Sequence, residues 1–453
     1  MSLQGTGARV AGTTGSVGTG QSADEAAGEV TIDLRAAGRA PVLAGTASRI
    51  VVHDFAGHPF QIDLSRSLAR RGHQVLHVYC DSYTSGKGRF AVGEDEPNLS
   101  VVALRAGETF ARYSPVRRFT QEIAYGRRFV ELAEEFRPDV ILACNVPLLT
   151  QRVSAAWCRR HRVPWVFWVQ DLYSVAVSAA AADRAGPAGR LVGRRFEALE
   201  RSLLRQAAQV VPITEDFTPL LHEWGVAPRH CTVIENWAPL HELPLRPRSN
   251  PWRCELGIGD DRFVFLYSGT LGLKHRPELL YELAAQHQHD AEVVVISEGM
   301  GEARLREMLA AQPLPNLRLL PFQPFERYPD VLAAADTLVA LLEPTAGTFS
   351  VPSKVLSYLC AGRPLLAAVP LENLAARTID RAGAGLVVPP TDAEAFLLAA
   401  KRLRNEPSLR LTCGARARGY AEATFATATI TDRFLDVIDG ALGGRPAAAG
   451  VGV

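Results

Sequence analysis

Three stretches of the sequence set polar side chains directly behind short apolar runs, the place where folds built from alternating strands and helices do chemistry, and a fourth sets them at the amino end of a helix. In HDFAGH, His53, Asp54, Gly57 and His58 crowd a turn, and the bare Gly57 lets a substrate approach backbone N–H groups beside His58. Asp171 closes VPWVFWVQD; against Trp165, Phe167 and Trp168 a partly buried carboxylate gains a raised pKa and suits a general base, the competing role being that of a plain helix-start residue. YSGTLGLKH combines a tight turn at Gly269, Thr270 and Gly272 with the cation of Lys274, which fits a pyrophosphate. In FSVPSKVLSYLCAGRP, Ser353 and Lys354 stand at the amino end of a short helix and Ser357 one turn further in, again a phosphate-like setting. The two lysines, about eighty residues apart, are expected to meet over one diphosphate. SEGMGE, with Glu298, and PFQPF, with Phe322, lie near the same edge and suit a nucleoside. No GxGxxG follows the first strand, which argues against a dinucleotide cofactor.

The elements that must hold these residues alternate. IVVHDF, QIDLSRSLARRGH and QVLHVYC read as strand, helix and strand, a βαβ unit, and the alternation continues through DVILACN, VPWVFWVQD and AQVVPIT. HELPLRPRSNPW is aperiodic and rich in Pro and Arg, so it marks a linker, after which RFVFLYSG, AEVVVISEG, NLRLLPF, DTLVALLE and GLVVPPTD open a second series. In FSVPSKVLSYLCAGRP, Ser350 fits an N-cap, Pro352 the first turn and Gly362 the stop. The expected fold is α/β, two facing doubly wound parallel-sheet domains with a cleft between them. The expected division is a disordered tail over 1–47, a first domain over 48–240, a hinge over 241–252, a second domain over 253–415, helices crossing back over 416–442 and a second tail over 443–453.

The totals are compatible with this. The chain has 453 residues, room for two or three domains, and its 49 Lys and Arg nearly cancel 48 Asp and Glu, so net charge does not call for nucleic acid. Seven scattered cysteines without CxxC fit reduced thiols better than a disulfide framework or zinc site. No apolar run reaches the length of a membrane span and the first residues lack a secretion-type core, so a cytoplasmic location is expected.

In order and spacing, DFAGHPFQIDLSRSLARRGH, WVQDLY, VIENW, LYSGTLGLKH and VPSKVLSYLCAGRP resemble the retaining glycosyltransferases of the two-Rossmann GT-B fold in glycosyltransferase family 4. The likeness runs from about Ser48 to Leu442 and is greatest to the colanic-acid and O-antigen fucosamine transferase subgroup. It implies that the second domain binds a nucleotide sugar and the first an acceptor; the expected donor is a UDP-sugar and the expected acceptor a glycan or polyprenyl-linked precursor. It further implies that Lys274 and Lys354 neutralise the donor diphosphate, that Glu298 and Phe322 lie in segments meeting the nucleoside, and that Asp171 stands near the reacting sugar. Gly57 and His58 then fall on the acceptor side, and neither metal nor cofactor is required. The chain departs from the family where many members carry two glutamates eight residues apart: Phe349 and Ser357 stand there, so sugar and ribose hydroxyls must be read otherwise. Arg105, Arg112, Arg117, Arg118, Arg127 and Arg128, interleaved with Phe110, Tyr113, Phe119 and Tyr125, suggest peripheral contact with an anionic membrane, the rival being a solvated helix face. Two other functions fit the same fold, an inactive nucleotide-sugar-binding or scaffold protein and a UDP-sugar 2-epimerase.

Overall fold

The computed structural model describes residues 47–82, 89–93, 95–105, 115–272, 275–342, 344 and 353–443. Two six-stranded parallel sheets result. The first takes β1 (Arg49–Asp54), β2 (Gln74–Cys80), β3 (Leu99–Leu104), β4 (Val140–Cys144), β5 (Trp165–Val169) and β6 (Gln209–Pro212) in the order β3-β2-β1-β4-β5-β6. The second takes β7 (Phe263–Ser268), β8 (Ala291–Ile296), β9 (Leu317–Leu320), β10 (Thr337–Leu341), β11 (Leu365–Ala368) and β12 (Gly385–Val388) in the order β12-β11-β10-β7-β8-β9. Read from β9, the second repeats the first. In each the order reverses between the first and fourth strand, between β1 and β4 and between β7 and β10, and the crevice at such a point is where open sheets bind ligands.

The strands read as apolar runs because helices cover both faces: every residue of β4, β5, β7, β8, β10 and β11 is buried. In the first domain the cover is α1 (Pro59–Arg70), α2 (Pro115–Phe136), α3 (Leu148–His161) and α4 (Tyr173–Gln206), with α5 (Thr218–Glu223) beyond β6. The sequence points to the second half of α4 alone. The whole segment is helical but reverses at Gly186, where φ is +50°, so that the Glu200 carboxylate returns to accept the N–H groups of Tyr173 at 3.0 Å and Ser174 at 2.9 Å. A straight helix would separate those residues by about 40 Å.

The chain leaves the first domain past Trp237 and enters the second through α6 (Pro251–Glu255), whose first turn is capped by the Asn250 side chain accepting from Arg253 N–H at 3.1 Å. α7 (Glu278–Gln286), α8 (Met300–Ala311), α9 (Tyr328–Ala333), α10 (Lys354–Cys360), α11 (Leu374–Ala382), α12 (Ala393–Asn405) and α13 (Pro407–Thr424) surround the second sheet. The boundary expected at 416 falls inside α13, which packs on α10, α11, α12 and β12. The return is made at Phe425 and Ala426, and α14 (Thr427–Gly443) lies on α1, β4, β5 and β6. Among the described residues no helix is long and apolar enough to cross a membrane.

Candidate functional site

The two reversal points face each other across a cleft of about 550 Å³, a volume ordinary for a small-molecule site. From the second domain it is lined by the ends of β7 (Ser268, Gly269, Thr270) and β10 (Leu341, Leu342), by His275, Phe322, Gln323, Phe325 and Tyr328, and by Ser353, Lys354 and Ser357. From the first domain come His58, Pro59 and Phe60 at the start of α1, with Trp237, Ala238 and Pro239 of the connecting segment.

Lys354 is the centre of this arrangement. Gly269 has φ +132°, and a Cβ there would lie 3.1 Å from Lys354 Cε and 3.2 Å from Nζ, so only glycine leaves the ammonium its place. The ammonium sits 3.7 Å from the centroid of the Tyr267 ring and donates to the Tyr267 hydroxyl, which in turn donates to Thr270 O at 2.8 Å. Among the described residues no carboxylate pairs with it, and burial pushes its pKa down to about 7. A cation desolvated without a counter-charge is prepared for an anion from outside. Its helix is pinned to the strand end, because the buried Tyr358 hydroxyl accepts Ser268 N–H at 2.9 Å and donates to Ser268 O at 3.1 Å. Tyr328 has its pKa pushed up to about 12 by burial, a rise that the neighbouring Ser268 and Ser357 side chains hold back. His275 Nδ1 accepts from Gly272 N–H at 2.9 Å, so a neutral ring carries its proton on Nε2.

The first-domain side is built differently. Gly57 has φ +79°, which only a turn of this kind requires, but its N–H donates to Asp54 Oδ1 at 2.9 Å and that of Ala56 donates to the same oxygen at 3.1 Å. The N–H offered to a substrate in the sequence reading is therefore spent inside the protein, and Gly57 does not line the cleft. His58 does. Burial holds its pKa down to about 4, so the ring is neutral, and its buried Nδ1 has no partner among the described residues.

Asp171 follows β5 on the same edge of the first sheet. Burial raises its pKa to about 6. It does not serve as the cap of α4, because Glu200 has taken the N–H groups of Tyr173 and Ser174 and the N-cap residue is Leu172. The adjacent Gln170 is locked to Asn236 by two amide hydrogen bonds of 3.1 and 2.6 Å. Asp171 is outside the lining of the cleft that holds Lys354.

Of the other residues singled out by sequence, Thr270, Phe322, Ser353 and Ser357 join Gly269 and Lys354 at the cleft, whereas Glu298 is exposed to solvent after β8 and does not line it. Lys274 and Phe349 lie outside the described residues, as do Ser350 and Pro352; α10 begins at Lys354 with Ser353 as its N-cap residue. Tyr267, Tyr328, Gln323, Phe60 and Trp237 were not singled out. Tyr267 and His275 nonetheless stand at the two ends of YSGTLGLKH, and Trp237 closes VIENW.

Two family models match the chain, the glycosyl transferase 4-like domain over residues 62–237 and the glycosyl transferases group 1 over residues 249–420. Between them they meet at the connecting segment. WcaI of Escherichia coli strain K12, named for a glycosyl transferase of colanic acid biosynthesis, is 25% identical over 310 residues, 67% of this chain and 75% of that protein. WbjE of Pseudomonas aeruginosa, named as a glycosyltransferase, is 26% identical over 258 residues, 56% of this chain and 64% of that one. The crystal structure of HepE from Anabaena in complex with UDP and glucose superposes with a TM-score of 0.65 at 17% identity, over 86% of this chain and 99% of that one.

Proposed function

The chain belongs to the family 4-like glycosyltransferases with the GT-B fold, and from that premise we propose that it moves a sugar from a UDP-sugar to a glycan or polyprenyl-linked precursor of a cell-surface polysaccharide, with retention at the anomeric carbon. The observation that carries the donor assignment is the Lys354 ammonium beneath Gly269, which meets no carboxylate among the described residues. There it meets the diphosphate, and the charge that builds on the leaving group is stabilised without a metal or cofactor. UDP as the nucleotide is supported by the ligand of the Anabaena structure, and the polysaccharide by the name of the Escherichia coli relative. Lys274, between Gly272 and the cleft-lining His275, is proposed as a second cation on the same diphosphate.

Without the family's glutamate pair, the hydroxyls of Ser357 and Tyr328 read the ribose or the sugar, and Phe322 borders the nucleoside. His58 contacts the acceptor from the opposite wall. Asp171, with a pKa near neutrality and no capping duty, accepts the proton of the acceptor hydroxyl when the domains close. The epimerase reading needs acid and base groups in the cleft, and among the described residues its lining holds two histidines and no carboxylate.

The enzyme is proposed to work in the cytoplasm, in peripheral contact with an anionic membrane. Arg117, Arg127 and Arg128 are exposed on α2 together with Phe119, whereas Tyr125 is buried in the core and Arg118 is paired with Glu122, so among the described residues Phe119 is the one exposed aromatic of this set. Phe110, Arg112 and Tyr113 lie outside the described residues.

Calorimetry with UDP, followed by turnover assays with UDP-, GDP- and dTDP-sugars, tests the proposal. Lys354→Ala is expected to weaken UDP binding by about 10- to 100-fold, the worth of a charge-assisted contact of roughly 1.5–3 kcal/mol. Equal binding by the variant refutes the diphosphate assignment, and binding without turnover of any donor leaves the scaffold reading.

A further inference from the structure

Helix α1 carries a carboxylate that the cleft does not use. Asp63 is only 2% exposed, and one of its oxygens, Oδ2, accepts hydrogen bonds from two segments remote in sequence: Trp237 Nε1–H at 3.0 Å and the Thr427 hydroxyl at 2.7 Å. Trp237 stands on the outgoing connection between the domains. Thr427 is the first residue of α14, where the return connection ends. Both passages of the chain are therefore fastened to the same side chain of the first domain.

The surroundings extend this fastening in two directions. Along α14, the Thr431 hydroxyl donates to Ser67 Oγ at 2.8 Å, and Arg71 pairs with Asp432, so α1 and α14 are held in register. Toward the cleft, the Trp237 ring lies 5.4 Å from Phe60, 5.9 Å from Trp168 and 6.1 Å from Phe434, and it forms part of the cleft wall. The second oxygen, Oδ1, has no hydrogen bond among the described residues; His241 of the connecting segment approaches it at 3.8 Å. Burying a carboxylate is costly, and a neutral acceptor would serve if filling space were the only need. Charge strengthens and directs the two hydrogen bonds it receives.

We propose that Asp63 is a positioning residue of the transfer reaction: it pins both interdomain connections to α1 and thereby sets the angle between the domains together with the Trp237 wall of the cleft. Donor and acceptor are brought within reach by that angle. Asp63 itself touches neither. The inference rests on the family's two-domain reaction and not on which donor is used.

The test uses the full chain with spin labels at Glu131→Cys on α2 and Lys401→Cys on α12, both exposed, in a Cys254→Ser background that removes the exposed native thiol. Distances between the labels are measured by pulsed electron resonance without ligand, so the outcome is independent of the UDP assignment. Asp63→Ala is expected to broaden the distance distribution at least twofold, and Asp63→Asn to broaden it less. Trp237→Phe with Thr427→Val removes both donors while leaving Asp63, and should reproduce the alanine result. An unchanged distribution in Asp63→Ala, with only a lower melting temperature, overturns the proposal, since packing alone would then be its role. Should Asp63→Ala fail to fold, the double variant decides by the same reading.

Discussion

After β1 and after β7 the chain makes the same move, a strand end, a glycine at positive φ and a turn at the point where the strand order reverses, yet the two turns are filled in opposite ways. After β1 the strand's last residue is Asp54, and its carboxylate collects the N–H groups of Ala56 and Gly57. After β7 the strand's last residue is Ser268, held by Tyr358, and the glycine beyond it makes room for a lysine whose only polar partner among the described residues is a tyrosine hydroxyl. One turn supplies its own anion. The other lacks one. Duplicated topology thus offers two crevices for a phosphate, and a single acidic side chain at the strand end decides which remains open.

The largest effect should come from Asp171, a carboxylate behind β5 that does not cap the helix following it. Asp171→Asn is expected to lower turnover by about 10²- to 10³-fold with donor affinity nearly kept. Because burial raises the Asp171 pKa to about 6, the folded protein binds a proton that the unfolded chain releases between about pH 4 and 6, and wild-type stability falls as pH rises through that window. The asparagine variant should lack that fall, seen as a higher melting temperature at pH 7 but not at pH 4. An unchanged rate would remove Asp171 from the mechanism.

The comparison sharpens with pH at Lys354. With a pKa of about 7 in the free protein, the side chain is mostly neutral at pH 8, and an incoming diphosphate must bring a proton with it. The Kd of a UDP-sugar should therefore be flat below pH 7 and rise by up to tenfold per unit above it, with proton uptake visible by calorimetry in buffers of different ionisation enthalpy. A Kd independent of pH from 6 to 9 would break this account.

Smaller effects separate the two glycines. Gly269→Ala strains a φ of +132° and crowds the Lys354 ammonium, so donor affinity should drop by roughly tenfold along with about 1–2 kcal/mol of stability. Gly57→Ala, at φ +79°, should cost about 1 kcal/mol in denaturant titration and leave donor affinity within about twofold. Equal losses of affinity in both would erase the distinction between the turns.

Much of this was written locally in the chain. Strands buried on both faces give unbroken apolar runs, and a polar or glycine residue just behind such a run marks a strand end, which is how Gly269 and Asp171 stood out, whereas Lys354 stood out at the amino end of a short helix. Helices α11 and α12 were passed over, although Leu374 and Ile379 in the one and Phe396 and Leu403 in the other stand at helical spacing on their buried faces. The fate of the Gly57 N–H was legible in principle, since Asp54 stands at the offset where aspartate closes a turn on itself. The roles of Tyr328 and Trp237 were not, because the approach of Tyr328 to Ser357 and the hydrogen bond from Trp237 to Asp63 join residues far apart in sequence, and nothing local records them. That Asp171 is no helix cap became apparent only when α4 doubled back and brought Glu200 to its own start.

The last helix completes the first domain. Phe434 of α14 packs against Trp168 and Trp237, and α14 shields β4, β5 and β6. As the polypeptide emerges from the ribosome, this half, although made first, waits with part of its sheet uncovered until α14 arrives, while the later-made half, α7 through α13, can close its own core beforehand. Synthesis order and order of completion are thereby reversed, and nascent chains halted before Thr427 should expose an apolar face for chaperones to cover.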